Sequence, residues 1–520
     1  MDRKRLALVA AIMGSFVAGL DATAVNVALP AIRLDLGGGL AGQQWVSNAY
    51  LLTLGSLILV GGSLGDVFGE RRVFSIGVLG FGVVSALCAV APTIELLVAG
   101  RALQGVFGAL LTPSALAVII AAFPASERGA AIGSWTAWGA MSTIVGPLAG
   151  GYLVDAVSWR LIFAINIPFV AVTLLLISLS VPARERGRER AKVDWLGAVL
   201  TFFGLAGPVL ALIRQPAVGW ASGQVIIPAL TGVVLLGLFL LHESRTPAPM
   251  LPLGLFKRRN FAVGNLETFA MYAGLSVTFF FLVLFLQEAA GYDALQAGLA
   301  LMPATLVMFA LSKRIGRLAD RLGPRLFMGG GPLLAAAGLV LMLRIDADLS
   351  YARDLLPALI VFALGLSCTV APLTAAVLAD ADESNAGIAS GVNNAIARVA
   401  GLLAVAAVGA VVSAQFGSAL DRRLDARVLS PPAQAAVARA RHQPLASVDP
   451  ARVGAQVAAD VESASVHAFR VGIGISALLV GLGGLLGVAG IRNSRRVVHS
   501  EDCAGGQLVG QPCDVARAHA

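Results

Sequence analysis

Charge is scarce in this chain: of 520 residues only 13% are Asp, Glu, Lys or Arg, while 57% are hydrophobic. A soluble domain carries roughly twice that share of charge, and a mean hydropathy of +0.83 excludes one. The composition is that of a polytopic membrane protein. Histidine is scarce too. None of the five, His242, His442, His467, His499 and His519, lies deep in an apolar run, so neither a metal site nor an imidazole proton relay is indicated. The four cysteines give no disulfide framework, since Cys88 and Cys368 lie inside apolar runs and Cys503 and Cys513 match no metal spacing. No Gly-Lys dipeptide occurs, which removes the phosphate-cradling loop of an ATP-driven machine. No catalytic constellation appears, so neither a cofactor nor an enzymatic activity is expected. The net charge of +8 is spread over short loops rather than gathered in one patch, which argues against nucleic acid as a partner.

What the chain does have is long apolar runs and a repeat. The basic start Met1 to Arg5 leads into a run to about Pro30, too long for the core of a signal peptide. Five more spanning runs lie near 44–65, 73–92, 96–122, 130–154 and 160–181. A basic break at Arg184 to Lys192 follows, then two runs near 195–213 and 223–241, and six more near 261–288, 295–315, 326–344, 354–379, 386–414 and 468–491. This predicts an all-α membrane protein of fourteen spanning helices. The expected units are an N-terminal six-helix half over 1–182, a linker with two extra helices over 183–250, a C-terminal six-helix half over 251–491 and a tail over 492–520. Residues 415–467 are expected as an external loop with short amphipathic helices. With the N-terminus inside, about twenty-three Lys and Arg fall on the cytoplasmic side and about five outside, which places both termini in the cytoplasm.

The repeat is a charged turn between apolar runs. Gly62, Leu64, Asp66, Gly69 and Arg71 follow the spacing Gly-x-Leu-x-Asp-x-x-Gly-x-Arg, and Gly316, Leu318, Asp320, Gly323 and Arg325 follow it again. The offset holds about eight crossings at about 30 residues each, an even number, so both turns face one compartment. Gly69 permits a backbone turn that other residues resist. Asp66, Arg71 and Arg72, with Asp320 and Arg325, are read as a cytoplasmic gate, able to pair with Asp380, Asp382 and Glu383 ahead of the thirteenth span.

Inside the spans, Asp21 is costly enough to be functional by default. It lies about 22 Å along its helix from the cytoplasmic start, and Arg101, about 9 Å from the external start of helix 4, comes to about the same depth. The two can pair and are read as the proton-coupling residues, with Asn26 and Gln104 as cavity neighbours. On helix 5, Gly139, Gly146 and Gly150 share a face that admits close helix approach, and Pro147 weakens the helix beside them. Helix 9 offers Glu267 and Tyr272 among several Phe, an aromatic face with one carboxylate that suits a lipophilic cation.

Together these residues resemble the major facilitator superfamily, and specifically its fourteen-helix drug:proton antiporter branch, over the chain to about Arg496. The doubled turn resembles the family's loop motif, Asp21 to Pro30 the helix 1 motif of the branch, and Arg101 to Gly105 the helix 4 motif tied to proton coupling. Gly146, Pro147, Gly150 and Gly151 resemble the antiporter motif that symporters generally lack. Trp159 to Pro168 is similar to a helix 6 block, with Leu161 where a second Trp is common. The thirteenth span departs from the pattern, carrying Arg398 and no acid, which argues against dicationic substrates. The resemblance implies two six-helix halves rocking about a central site in the bacterial inner membrane, proton entry driving exit of a drug or antibiotic. The partners implied are a small-molecule substrate, protons and the lipid bilayer, with a monomer expected. A proton symporter or metabolite transporter of the same fold is the alternative, opposed by Gly146 to Gly151, and a receptor without transport is more distant, opposed by Asp21 and Arg101.

Overall fold

The computed structural model describes residues 3–180, 193–247, 249–379, 386–424, 429–441, 443–445 and 447–493, with the side chains of Asp66, Thr143 and Asp320 among those left out within them. The chain runs as α1 (Arg3–Leu36), α2 (Gly39–Phe68), α3 (Glu70–Ala89), α4 (Ile94–Ala122), α5 (Ala125–Ala156), α6 (Leu161–Ala164) and α7 (Asn166–Ser180). Next come α8 (Trp195–Val218), α9 (Gly223–Arg245), α10 (Arg259–Glu288), α11 (Ala294–Leu322), α12 (Pro324–Met342), α13 (Leu356–Ala379) and α14 (Ala386–Leu424). The last elements are α15 (Pro431–Arg441), α16 (Pro450–Val453) and α17 (Ala455–Gly490).

Among the described residues, thirteen stretches are long and apolar enough to cross a bilayer, with α6 and α7 forming one of them. The remaining crossing is α5, 32 residues long, whose apolar part is Ile144–Ala156. Fourteen crossings result. Such lengths follow from the bilayer: about 20 apolar residues span its core, and every backbone group must be bonded inside the helix. Some helix starts are fixed by side chains, as where the Thr93 hydroxyl accepts from the Leu96 amide and Asp293 forms a capping box with Gln296.

The side of the bundle where α1 begins is called the near face, and the opposite side the far face. Helices α1 to α7 pack into one half and α10 to α17 into the other, while α8 lies against both α2 and α14. Leu52, Leu205, Val209, Ile213, Leu402 and Ala406 form that seam. The outer side of α9 exposes Ile226, Ile227, Leu230, Val233 and Val234, as a helix facing lipid must.

The segment expected as a loop over 415–467 is shorter than its hydropathy indicates. Helix α14 continues to Leu424 and α17 starts at Ala455, both beyond the apolar stretch. The ends are held by packing, since Phe416, Ala419 and Leu420 are buried with Val461 and Ala464.

The two halves meet at the far face. Arg33 at the end of α1 binds Glu288 at the end of α10 through Nη2 at 2.6 and 2.8 Å and Nε at 3.0 Å. Gln287 donates to the Val27 carbonyl at 3.0 Å. The Asp155 carboxylate, ending α5, accepts the free amides of Ala294 and Leu295 at the start of α11 at 3.2 and 2.7 Å, a placement favoured by the helix dipole. Gln44 donates to the Val405 carbonyl at 2.7 Å.

Candidate functional site

Midway through the N-terminal half, side chains from five helices meet around Asp21. Arg101 Nη1 lies 2.5 Å from Asp21 Oδ2, and neither residue reaches solvent, at 1% and 0% exposure. Asp21 Oδ1 accepts from Asn166 Nδ2 at 3.0 Å and Gln104 Nε2 at 3.3 Å. The same two amides donate to Ser85 Oγ at 3.3 and 2.8 Å. Gln104 Oε1 accepts from Arg101 at 2.8 Å, and Arg101 Nε donates to the Val46 carbonyl at 3.1 Å. The guanidinium lies 4.5 Å from the centroid of the Tyr50 ring. A buried ion pair is tolerable only when its remaining hydrogen-bonding capacity is also satisfied, and here the carboxylate has three donors. One acceptor is left over: Asn166 Oδ1 is buried without a partner.

Thus Asp21, Arg101 and Gln104, read from sequence, come together. Asn26 does not join them; its Oδ1 accepts from Ser47 at 3.3 Å. Ser85, Asn166 and Tyr50 were not singled out, although Asn166 stands in the Trp159 to Pro168 block. Three residues of that block reach α1, with Trp159 Nε1 donating to Asp35 at 2.9 Å, Arg160 paired with the same carboxylate and Asn166 bound to Asp21.

The glycines of α5 hold α1 in place. A Cβ on Gly146 would lie 1.9 Å from Thr23 Oγ1, and one on Gly150 would lie 2.9 Å from that of Ala24, one turn from Asp21. Gly151 faces the other half, where a Cβ would meet Leu295 at 2.6 Å, and Pro147 presents its carbonyl 2.6 Å from a Cβ built on Gly298. Gly139, on the same face by spacing, has nothing within 4 Å.

The repeated turn has one geometry in both halves. Gly69 and Gly323 have φ of 90° and ψ of 135° and 150°, a region closed to other residues. Each amide donates back to a helix carbonyl, Gly65 at 2.9 Å and Ala319 at 2.8 Å. Arg325 donates from Nε to the Val488 carbonyl at 2.8 Å, while Arg71 is half-buried and Arg72 exposed. The side chains of Asp66 and Asp320, and the acids Asp380, Asp382 and Glu383, lie outside the described residues.

Glu267 has a different setting from the one its sequence suggests. Its side chain is buried at 0% exposure and both oxygens lack a partner, and it lies against α17, with Oε2 3.0 Å from a Cβ built on Gly487. Tyr272 is half-buried at the junction of two cores. Among the described residues no group of acids, His and Cys could hold a metal.

Comparison with known proteins decides the family. Residues 11–405 match the model of the Major Facilitator Superfamily. The chain belongs to this superfamily. Within it, the chain is 37% identical over 413 residues to the puromycin resistance protein of Streptomyces alboniger, covering 79% of this chain and 82% of that one. It is 34% identical over 415 residues to the tetracenomycin C resistance and export protein of Streptomyces glaucescens, covering 79% and 76%. It is 33% identical over 443 residues to the multidrug resistance protein Stp of Mycobacterium tuberculosis, covering 83% and 80%. A solved bacterial homologue of the lysosomal transporter Spinster, inward-facing and unoccupied, shares the fold with a TM-score of 0.64 at 16% identity, covering 95% of this chain and 99% of that one. The chain is therefore a multi-pass membrane transporter of small molecules, related to antibiotic resistance exporters, and not an enzyme.

Proposed function

We propose that this transporter exports lipophilic drugs or antibiotics in exchange for protons, with its near face in the bacterial cytoplasm. The observation that carries this reading is the Asp21 site: a carboxylate at mid-membrane depth, held by Arg101 and by two amides that can turn. In the structure Asn166 Nδ2 donates to Asp21 while its Oδ1 is idle. When Asp21 takes a proton, rotation of the Asn166 amide offers that carbonyl to the new O–H, so either protonation state can be satisfied. Rocking of the halves changes which partners and how much water Asp21 meets. The contacts between α5 and both α1 and α11 supply the mechanical link, because α5 touches the Asp21 turn and the other half through neighbouring residues. The resistance and export roles in the names of the relatives support the direction of transport.

The experiment is substrate uptake into everted vesicles under an imposed proton gradient. Asp21→Asn keeps the shape of the site but fixes its charge, so uphill movement should stop while downhill exchange continues. Proton-for-substrate exchange at the wild-type ratio in Asp21→Asn would sink the assignment.

A further inference from the structure

Two arginines lie at mid-depth on either side of Tyr50, and only one of them has its charge matched. Arg101, over the Tyr50 ring, is paired with Asp21. Arg398 stands on α14 about 18 Å from that helix's start at 1.5 Å per residue, the same level to within a turn. Its Cβ is 3.5 Å from a Cβ built on Gly55 of α2, and Tyr50 and Tyr272 both lie within reach of its charge. On the next turn of α14, Gly401 faces Ser276 of α10. Arg398 is therefore at the junction of α2, α10 and α14, on the boundary between the halves. Its Nε is buried with no acceptor, and among the described residues it makes no hydrogen bond or ion pair. The side chain as a whole is only half-buried, so the guanidinium is neither neutralised nor sealed off.

An unmatched cation at this depth is costly, and the described residues offer it no counter-charge. The acids that lie deep in spans are Asp21, taken by Arg101, and Glu267, turned toward Gly487 of α17. Toward the near face from Arg398 the groups are polar and neutral: Asn393 Nδ2 donates to Asn265 Oδ1 at 3.1 Å and to Thr268 Oγ1 at 2.8 Å. A cationic compound here meets repulsion. An anion supplies the missing counter-charge, and the half-buried Tyr272 suits an aromatic body beside it.

We infer that Arg398 is the charge the substrate meets, and that the site takes lipophilic aromatic compounds bearing one acidic group, a carboxylic acid or an ionised phenol, as monoanions. This rests on the exporter reading only for the direction of movement; binding can be read by itself. The probe is 7-diethylaminocoumarin-3-carboxylic acid, with its neutral ethyl ester and its cationic choline ester on the same fluorophore. Binding is measured by anisotropy with the full chain in detergent, against empty micelles. The wild type should bind the acid more tightly than either ester. Arg398→Gln should weaken the acid about tenfold or more, as expected for loss of a charge-assisted contact, and leave the neutral ester within about twofold. Arg398→Lys, which keeps the charge without the planar fork, should fall between and guards against misfolding of the Gln variant. Equal weakening of acid and ester, a wild-type preference for either ester, or no wild-type binding of the acid would overturn the inference. If the acid binds but is not moved in everted vesicles, the exporter reading fails and the assignment of Arg398 stands.

Discussion

At the scale of single residues, the Asp21 site depends on every donor being present. Arg101→Ala leaves a buried carboxylate without its counter-ion, which should cost about 3 to 5 kcal/mol of stability, read as a loss of thermal stability in detergent. Asp21→Asn with Arg101→Ala together should recover much of that loss, because no unpaired charge is left buried. The pairing was legible in the sequence because helix rise alone sets depth, and two residues at one depth on adjacent crossings can meet. Ser85 and Asn166 were not legible, since a small polar residue in an apolar run shows neither which way its helix is turned nor what it meets. Glu267 illustrates the same limit. Helix α10 is buried on nearly all sides, from Phe261 to Leu286, so its sequence carries no apolar stripe to reveal its rotation, and the carboxylate faces α17.

At the scale of elements, α5 connects the ion pair to the other half by close backbone approach. Gly151→Val must displace Leu295 of α11, so it should abolish transport while expression persists. Gly139→Val, where nothing lies within 4 Å, should transport at close to the wild-type rate in the same vesicle assay; equal damage from both would remove the packing argument. Helix α8 gives a pH prediction. Asp194 caps it, accepting from the Gly197 amide at 2.8 Å, and its carboxylate also meets His242 Nε2 at 2.9 Å. Burial raises its pKa, but those bonds prevail and hold it below the usual carboxylate value. A lowered pKa gives stability that is present above the unfolded value near 4 and is lost as pH falls through the folded one. Asp194→Ala should therefore cost about 1 kcal/mol at pH 7, and its gap from the wild type should shrink below about pH 4 in detergent denaturation. The number of crossings was readable from hydropathy, but the full lengths of α14 and α17 were not. The α14 extension carries Asp421, Arg422 and Arg423 and the α17 extension Asp460 and Glu462, charges that lower their hydropathy, and both stay helical because they pack on each other.

For the whole molecule, the far-face contacts tie the two halves together on that side. The Arg33–Glu288 pair is nearly buried, its side chains 10% and 13% exposed, and it joins elements that must part for the site to open on that side. Glu288→Gln should shift the equilibrium toward far-side opening by about 1 kcal/mol, roughly fivefold, visible as longer distances between spin labels at Leu36 and Ala290. Unchanged distances would show that the pair does not restrain the halves. The two-half plan itself was legible through the doubled turn, because Gly69 and Gly323 impose one backbone conformation that only glycine fills without strain. The end of α17 bears on how the molecule is made. Its last carbonyls, with no helical partner of their own, are taken by Arg259, which donates to Gly490 at 2.7 Å and Ala489 at 3.1 Å, while Asn260 donates to the Arg492 carbonyl at 3.1 Å. These partners are separated by 230 to 232 residues. At about 5 to 20 residues per second of synthesis, α10 waits some 10 to 50 s for the segment that closes its first turn. The N-terminal half holds its ion pair complete within the first 166 residues, from Asp21 to Asn166, and can assemble while the ribosome is still working. The C-terminal half closes last, when its final crossing arrives.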